Sequence, residues 1–548
     1  MQAILQSKYR LQAGSYIRCR RTAAADCGSL RACVGRIWRR NETTMFTKTT
    51  WLASVHARAG ILGAIVTLMS AAAAAPSSAP GLELPAWVKE AGAQRTPAGE
   101  KVYAVTTYGA GNDGKTLATA AIQQAIDTCS AAGGGVVDFE PGTYLTGALF
   151  VKSGVHLRID AGVTLLGAQD ETAYPRLPTR VAGIEMEWPA ALINVNDQQN
   201  VKISGAGTID GDGGLWWNKY FTMRRQDYEP RGLRWAVDYD CERVRLLVVW
   251  KSTDVTVAGL HLRRAGFWTV QVCYSDRVTV DGINIRDNGG PSTDGVDLDS
   301  SSHVLVQNCD IDNNDDCICL KSGRDADGLR VNRPAEYVVI RHNTTRRGAG
   351  IVSFGSETSG GIRHVVAYDN TGLGTSEGIR FKSARTRGGY IADVLVRDIK
   401  MENVPLPFTI TLNWNPGYSY VTLPQDPANL PPNLKEVPAH WKVMATPVEP
   451  PERGFTDFRD ITIANIEVTG ARQILSASGL PGKLLGHVRW ENITARGRQA
   501  GAIEYARDWT MKNVQFVTED GVPVSVANSE NVAAPEVAKA EPAPAAKP

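Results

Sequence analysis

A short strand-like pattern recurs along the chain, and it constrains the fold more than any other feature of the sequence. Val, Ile and Thr alternate with period two in each copy, which indicates a short strand, and a Gly, Asn or Asp marks the following turn. Successive copies from Val255 begin 23, 26, 34, 27 and 29 residues apart. The copies read VTVAGL at 255–260, VTVDGI at 278–283, VLVQNC at 304–309, VVIRHN at 338–343, VVAYDN at 365–370 and VLVRDI at 394–399. One such unit per repeat predicts an all-β solenoid, a right-handed parallel β-helix with one coil per copy.

The domain organisation follows from where this repeat begins and ends. Thr119–Ala131 has helical spacing of apolar residues, which predicts a helix that covers the first coil. We expect residues 101–526 to form the β-helix domain, after a Pro/Ala-rich lead-in at 76–100. Residues 527–548 have low complexity and are expected to form a disordered Ala/Pro tail. A β-sandwich is the competing fold, but it does not require punctuated repeats of this length.

The first 75 residues read as a basic extension followed by a signal peptide. From Met45, Lys48 and Arg58 precede the apolar run 61–69, and the small residues 71–75 offer cleavage sites. This pattern predicts export to the periplasm or the extracellular space, with residues 1–44 as an upstream extension. A membrane anchor is the alternative, although the apolar run is too short to span a bilayer comfortably.

Charge and cysteine content narrow the class of partner. The first 75 residues carry a net +9, so the overall +2 leaves the body of the protein at −7. A mildly acidic body argues against nucleic acid as a partner. Cys317-x-Cys319 is a weak metal signal without a matching second pair. We therefore expect buried thiols with at most one disulfide among the cysteines after the signal region, which are Cys129, Cys241, Cys273, Cys309, Cys317 and Cys319.

Two long interruptions of the repeat, at 214–240 and 412–453, are rich in aromatic side chains. The first also holds four arginines, Arg224, Arg225, Arg231 and Arg234. Aromatic rings stack on the apolar faces of sugars, and arginines pair with carboxylates, so the two insertions are candidates for substrate binding. The same rings could instead only pack the loops onto the solenoid, and the sequence leaves both interpretations open.

Three aspartates form a candidate site. Asp294 lies about one repeat before the adjacent pair Asp315 and Asp316. Stacking of adjacent coils, at roughly 4.8 Å, would bring them together on one face. Inverting hydrolysis of a glycosidic bond needs a carboxylic acid and a carboxylate base roughly 6.5–9.5 Å apart, and mutual repulsion raises the pKa of one of them. Arg380 and Lys382 share one face of a strand, where they can hold an anionic sugar. A cluster of three acids can also bind Ca²⁺, which is the main chemical alternative.

Four stretches around these residues resemble glycoside hydrolase family 28, the polygalacturonases and related pectin hydrolases. Family members carry Asn-Thr-Asp, Asp-Asp, Gly-His-Gly and Arg-Ile-Lys in this order on a parallel β-helix. This chain has Ser292-Thr293-Asp294, Asp315-Asp316, Gly348-Ala349-Gly350 and Arg380-Phe381-Lys382, and residues 204–217, 267–272 and 354–365 also resemble the family.

The resemblance implies a role for each of the five site residues. Asp315 would be the general acid, and Asp294 and Asp316 would hold and activate water. Arg380 and Lys382 would bind the galacturonate carboxylate. It further implies an inverting hydrolase acting on acidic plant cell-wall polysaccharide or its oligosaccharides, without metal or cofactor. We expect a monomer.

Two departures from the family pattern bear on the substrate. Ser292 replaces an asparagine but can still form hydrogen bonds. Ala349 replaces a histidine, as in branches of the family that attack rhamnogalacturonan, and His364, Arg346 or Arg347 are candidates to take its place. The sequence leaves open a rhamnogalacturonan hydrolase, a Ca²⁺-dependent polysaccharide lyase and a non-catalytic pectin-binding solenoid. It leaves exo and endo action open as well, although insertions that close one end of a groove favour exo action.

Overall fold

The computed structural model describes residues 82–541, so the predicted extension and signal peptide lie outside the described residues. Within this range the strands of the coils pair in parallel, one coil above the next, and form a right-handed parallel β-helix; the hairpin Arg176–Val181/Ile184–Pro189 is antiparallel and separate. The predicted fold class is confirmed. Among the residues the structure describes, no helix has the length and apolar character needed to cross a membrane.

The coils build three parallel sheets. The first sheet contains Val102–Ala104, Gly135–Asp138, Val155–Arg158, Gln199–Ser204, Thr253–Ala258, Asp276–Asp281, Ser302–Gln307, Ala335–Arg341, Ile362–Leu373, Tyr390–Glu402, Asp457–Ser478, Val488–Glu504, Ala506–Thr518 and Glu536–Lys539. The second contains Asp113–Leu117, Gly142–Thr146, Val163–Gly167, Thr208–Asp210, His261–Arg263, Asn284–Arg286, Asp310–Ile311 and Thr344–Thr345. The third contains Leu149–Phe150, Ile193–Asn196, Leu247–Trp250, Val270–Cys273, Val296–Asp299, Ile318–Lys321, Val352–Phe354, Glu377–Lys382, Leu406–Thr411 and Ser525–Ala527.

The sequence repeat sets the register of the first sheet. Val255 pairs with Val278, Val278 with Val304, and Val304 with Val338, and the same register continues through Val365 and Val394. These first residues of the repeats point inward and are buried. The repeat therefore forms one column of the core, where removal of apolar surface from water stabilises the stacked coils.

Buried polar side chains between coils form hydrogen-bonded columns of their own. The Ser252 N–H donates to Ser275 Oγ (3.1 Å), and the Ser275 N–H donates to Ser301 Oγ (3.0 Å). In another turn the Asn343 N–H and side-chain amide both donate to Asn370 Oδ1. Such columns satisfy backbone groups that the turns would otherwise leave unpaired.

Both ends of the solenoid are covered. The helix Thr119–Ala131 forms as predicted and buries Ile122, Ala125, Ile126 and Cys129 against the first coils. The prediction of a disordered tail from residue 527 is wrong for the described part. Strands Glu530–Val532 and Glu536–Lys539 pair with Ala506–Thr518, and Val532 and Val537 pack on the core. The tail is ordered because the last coil offers unpaired strand edges and exposed apolar surface; residues 542–548 lie outside the described residues.

The lead-in runs along the outside of the solenoid from later coils towards earlier ones, and we call residues 82–94 the strap. Trp87 packs edge-on against Tyr337, with ring centroids 5.5 Å apart. The Gly92 N–H donates to the His303 carbonyl (2.8 Å), and the Gln94 N–H donates to Asp254 Oδ1 (2.7 Å). Arg397 donates to the Leu82 carbonyl at the other end. The strap therefore crosses several successive coils.

The two insertions pack on each other and on the hairpin Arg176–Val181/Ile184–Pro189. Trp235 of the first insertion lies against Trp441 of the second, with ring centroids 4.8 Å apart. The insertions and connections contain helices and single helical turns, which are Ala86–Glu90, Val105–Tyr108, Glu171–Ala173, Gly214–Met223, Arg224–Tyr228, Glu229–Arg231, Val237–Asp240, Asp325–Val331, Pro416–Ser419, Pro427–Asn429, Ala439–Met444 and Pro451–Gly454. Most aromatic side chains of the insertions therefore pack the insertions onto the solenoid, which is the second of the two interpretations that the sequence left open.

The cysteines are buried small side chains, as expected, but no disulfide joins any of the six in the described part of the chain. Cys317 and Cys319 contact backbone and asparagine oxygens between coils. The possibility of one disulfide is thus not realised.

Candidate active site

The three predicted aspartates meet where two neighbouring strands of the third sheet begin. Asp294 lies two residues before Val296–Asp299, and Asp315 and Asp316 lie just before Ile318–Lys321, which pairs with that strand. The Gly295 N–H donates to the Asp316 carbonyl (2.8 Å) and fixes the two turns against each other. One carboxylate oxygen of each aspartate lies within 4.8 Å of the others. The convergence predicted from coil spacing is therefore present.

Asp316 is the ionised member of this cluster. Its Oδ2 accepts from Lys382 Nζ (2.6 Å), and its Oδ1 accepts from Arg380 Nη1 (2.9 Å) and Ser353 Oγ (2.7 Å). Burial alone would raise the pKa of Asp316, but the charges of Lys382 and Arg380 hold this pKa well below its usual range. A buried carboxylate held in this way remains an anion throughout the neutral range.

Asp315 and Asp294 hold protons more readily. Burial and the adjacent Asp316 charge raise the pKa of Asp315. Burial, together with Asp297 and Asp315, raises the pKa of Asp294 well above its usual range. The cluster therefore joins one carboxylate with a lowered pKa to two carboxyls whose pKa values are raised. The difference in pKa fits an acid role for Asp315 and a base role for Asp316, and both roles stay predictions. Asp294 and Asp316, which were expected to act alike on water, differ in the direction of their pKa shifts.

The nearest oxygens of the three carboxylates lie within 4.8 Å of one another. Asp294 approaches from the coil next to that of Asp315 and Asp316, and neighbouring strands are only about 4.8 Å apart. The rule for inverting enzymes, roughly 6.5–9.5 Å, concerns the distance between the two carboxyl groups rather than between their nearest oxygens, so the expected separation stays a prediction.

Sequence reasoning missed a buried ion cluster below the aspartates. Lys321 Nζ lies 3.6 Å from Asp294 Oδ2, 3.4 Å from Asp297 Oδ1 and 3.6 Å from Glu357 Oε2. Burial opposes ionisation of Glu357, but the charges of Lys321 and Arg387 lower its pKa to about 2. Burial raises the pKa of Asp297 to about 7 against the pull of Lys321. Charged residues within two otherwise apolar strands, VDLD and ICLK, were the available signal.

Arg380 and Lys382 reach the acid cluster, although not as free carboxylate receptors. Both hold Asp316, and both lie near the ring of Trp414, with Lys382 Nζ 4.5 Å from its centroid. Arg380 also pairs with Glu377 (3.0 Å) and donates to the Ala349 carbonyl (3.2 Å). Of the two, only Lys382 lines the pocket that the described residues form. Arg380 uses Nη1 and Nε in these contacts, and substrate contact by Arg380, inferred from the resemblance, stays a prediction.

The expected substitutes for the missing histidine lie elsewhere. His364 pairs with Asp393 and stacks on Tyr337, while Arg346 and Arg347 pair with acids of the neighbouring coil. The three candidates are therefore wrong, because each is held by a local partner. The Ala349 backbone still serves the site, since its N–H donates to the Asp315 carbonyl (2.8 Å).

A small pocket, with a cavity volume of about 70 Å³, opens above the aspartates. The solenoid supplies its floor, which comprises Asp294, Asp315, Asp316, Lys321 and Lys382. The insertions supply a side wall, which comprises Arg234, Asp238, Trp414 and Tyr418. We keep the terms floor and wall for these two sets.

The three aspartates of the floor could coordinate a divalent cation, since one oxygen of each lies within 4.8 Å of the others. Both oxygens of Asp316 are, however, already bound by Lys382, Arg380 and Ser353. Two protein cations at this carboxylate oppose the binding of a third. Acid–base chemistry is the use that this arrangement supports best.

The model of a known family, glycosyl hydrolases family 28, matches residues 142–424, a little over half of the chain. The chain belongs to glycosyl hydrolases family 28. Membership in a family of glycosidases confirms the enzyme class expected from the motifs.

Individual relatives agree with this membership. A probable polygalacturonase of Vitis vinifera is 31% identical over 56% of this chain and 62% of its own length, so the chain spans a little under two thirds of that protein. An exo-poly-alpha-D-galacturonosidase of Dickeya chrysanthemi is 26% identical over 77% of this chain and 72% of its own length. The structure of a hyperthermoactive exopolygalacturonase from Thermotoga maritima shares the fold, with a TM-score of 0.62 at 24% identity over 81% of this chain and 94% of that one.

Proposed function

We propose that this protein hydrolyses α-galacturonosidic linkages in pectic polysaccharide with inversion of configuration. The observation that carries the proposal is the meeting of Asp315 and Asp316 on one pocket floor, where Lys382 and Arg380 hold the Asp316 carboxylate. Burial and the Asp316 charge raise the pKa of Asp315 beside it. A glycosidase needs a carboxylate and a proton-donating carboxyl side by side. Relatives named for polygalacturonase activity support the choice of substrate.

In the proposed reaction Asp315 donates its proton to the glycosidic oxygen as the bond to the anomeric carbon breaks. Water attacks that carbon from the opposite face, and Asp316 accepts the proton that the water releases. Asp294 accepts a hydrogen bond from this water or donates one to it and so orients it. Lys382 and Arg380 keep Asp316 ionised while the sugar develops positive charge.

We propose further that cleavage takes place at a chain end. Arg234, Asp238, Trp414 and Tyr418 stand beside the floor, where a long open groove would need free space for further sugars. The relative from Dickeya chrysanthemi that is named as an exo-enzyme aligns with more of this chain, 77%, than the Pectobacterium carotovorum endo-polygalacturonase does, 54%. Release of monomeric or dimeric product from the first minutes of digestion would support this mode, and a ladder of oligomers would contradict it.

The proposed substrate is a polymer of plant cell walls, so we also propose that the enzyme is exported. The basic, apolar and small-residue segments of 45–75 support export. N-terminal sequencing of protein recovered outside the cytoplasm should begin after this segment. Recovery of the intact segment would contradict the proposal.

Replacement of Asp315 by Asn tests the activity itself. Loss of the proton donor should lower kcat on polygalacturonate about 10²–10⁴-fold, with the thermal unfolding transition retained. Reducing-sugar release measures the rate, and proton NMR of the first product gives its anomeric configuration. Unchanged turnover by Asp315→Asn, or a retained configuration, would contradict the mechanism.

Ala349 favours one second candidate, a hydrolase of rhamnogalacturonan. The same assay on rhamnogalacturonan separates the two substrates, because the proposed enzyme should cleave polygalacturonate faster. A lyase would instead form products that absorb in the ultraviolet and would lose activity on addition of a chelator. A binding protein without catalytic activity would retain pectin without releasing sugar.

A further inference from the structure

The cations that face the pocket differ in how freely they can meet a ligand. Lys382 and Lys321 are about 4% and 5% exposed and are held by the floor carboxylates. Arg234 is 24% exposed and enters from the insertion rather than from the solenoid. A uronate carboxylate in the pocket therefore meets Arg234 before it meets a floor cation. Arginine also offers the planar pair of donors that matches a carboxylate.

Arg234 is held by Asp238, and the group formed by Arg234, Asp238 and Arg243 keeps a net positive charge. Arg234 Nη1 donates to Asp238 Oδ2 (2.6 Å), and Arg243 Nη2 donates to Asp238 Oδ1 (3.0 Å). Two guanidinium groups thus share one carboxylate, and this corner carries a net charge of about +1 at neutral pH. Ser292 Oγ donates a longer hydrogen bond to Asp238 (3.3 Å) and ties the corner to the turn that holds Asp294.

The direction of Arg234 is set from the second insertion. Its guanidinium carbon lies 5.4 Å from the ring centroid of Tyr418, which also lines the pocket. No described residue other than Asp238 accepts a hydrogen bond from Arg234. The guanidinium is therefore positioned on one edge and has donors left over for a ligand.

We propose that Arg234 binds the carboxylate of the galacturonate unit seated against the wall, and that this contact selects acidic over neutral or esterified sugars. The inference rests on the proposed function, because it concerns the same pocket. It adds to the cations of the solenoid a carboxylate contact that the first insertion supplies.

Binding to an inactive enzyme tests the proposal without reference to turnover. In an Asp315→Asn background, Arg234→Gln should weaken binding of trigalacturonate about 10- to 100-fold by calorimetry. Binding of the fully methyl-esterified trimer should change less than threefold, since it has no carboxylate to lose a partner. Arg234→Lys keeps the charge without the planar fork, so it should fall between wild type and Arg234→Gln.

Arg225→Gln is the matched control, because Arg225 belongs to the same insertion but lies exposed over Phe221 away from the pocket. It should leave the affinity for both trimers unchanged. Equal loss of both trimers in Arg234→Gln, or no loss of either, would overturn the inference, while activity of the wild type on polygalacturonate would keep the proposed function. Absence of galacturonan cleavage by the wild type would overturn both. If Arg234→Gln unfolds, the selectivity of Arg234→Lys between the two trimers decides in the same way.

Discussion

The floor and the wall of the pocket are built on different principles. The floor is ionic, and strand register places its members: neighbouring coils bring Asp294 beside Asp316 and Lys321 beside both Asp294 and Asp297. The wall is carried by insertions whose buried aromatics pack mainly on one another. The difference indicates that the solenoid fixes the chemistry, whereas the interruptions of the repeat adjust which substrate reaches it.

The largest effect is expected from removing the negative charge of Asp316 in the floor. Asp316→Asn should lower kcat about 10²–10⁴-fold, because the proposed base is lost. It should also lower the free energy of unfolding by about 3–5 kcal/mol, because Lys382 and Arg380 are left buried without their shared partner. Steady-state kinetics and denaturant unfolding measure the two effects.

Glu377→Gln is the control for this change, because Glu377 pairs with Arg380 on the side away from Asp316. Glu377→Gln removes a carboxylate partner of Arg380 but should lower kcat far less than Asp316→Asn does. A similar loss of kcat in both variants would show that Asp316 acts only through the placement of Arg380.

A smaller effect should follow from changing the charge below the floor. Lys321 lowers the pKa of Asp315 and Asp316, and also those of Asp294 and Asp297, so Lys321→Gln should raise all four. The acidic and alkaline limbs of the kcat/KM profile should both move to higher pH, and activity at the wild-type optimum should fall about two- to fivefold if the shift is about one pH unit. Rates measured across the pH range check this expectation. Lys321→Arg keeps the charge and should keep the profile; an unmoved profile in Lys321→Gln would remove Lys321 from the tuning of the site.

The smallest effect on kcat should come from the buried packing of the insertions that carry the wall. Trp441 is fully buried against Trp235, and its indole N–H donates to Asp240 (3.0 Å). Trp441→Ala should loosen the wall and raise KM several-fold, with kcat nearly unchanged, because the floor does not depend on this contact. A cavity of this kind costs about 3–5 kcal/mol locally.

Trp490→Ala provides the matched comparison in the solenoid, since Trp490 is equally buried between Phe408 and Trp509. It should lower the main unfolding temperature, whereas Trp441→Ala should leave that temperature nearly constant. Identical shifts in calorimetry would show that wall and solenoid unfold as one unit.

The parts that follow a local rule could be predicted from the sequence, and the parts set by distant neighbours could not. The periodicity of apolar residues was sufficient to predict the coils and the helix Thr119–Ala131. The length of the repeat was sufficient to predict that Asp294, Asp315 and Asp316 meet. The Lys321 cluster was missed because its members come from three separate segments, and nothing local requires Glu357 to turn towards the others. The tail was misjudged since low complexity says nothing about the open strand edge that Glu536–Lys539 meets.

The strap adds a property that the repeat lacks. In a solenoid each coil contacts only its neighbours, so unfolding can begin at an end and spread one coil at a time. The strap binds the coils of Asp254, His303 and Tyr337 with one continuous piece of chain. Loss of any one of these coils therefore frees contacts on the others, and the central coils around the pocket are coupled into a single cooperative block.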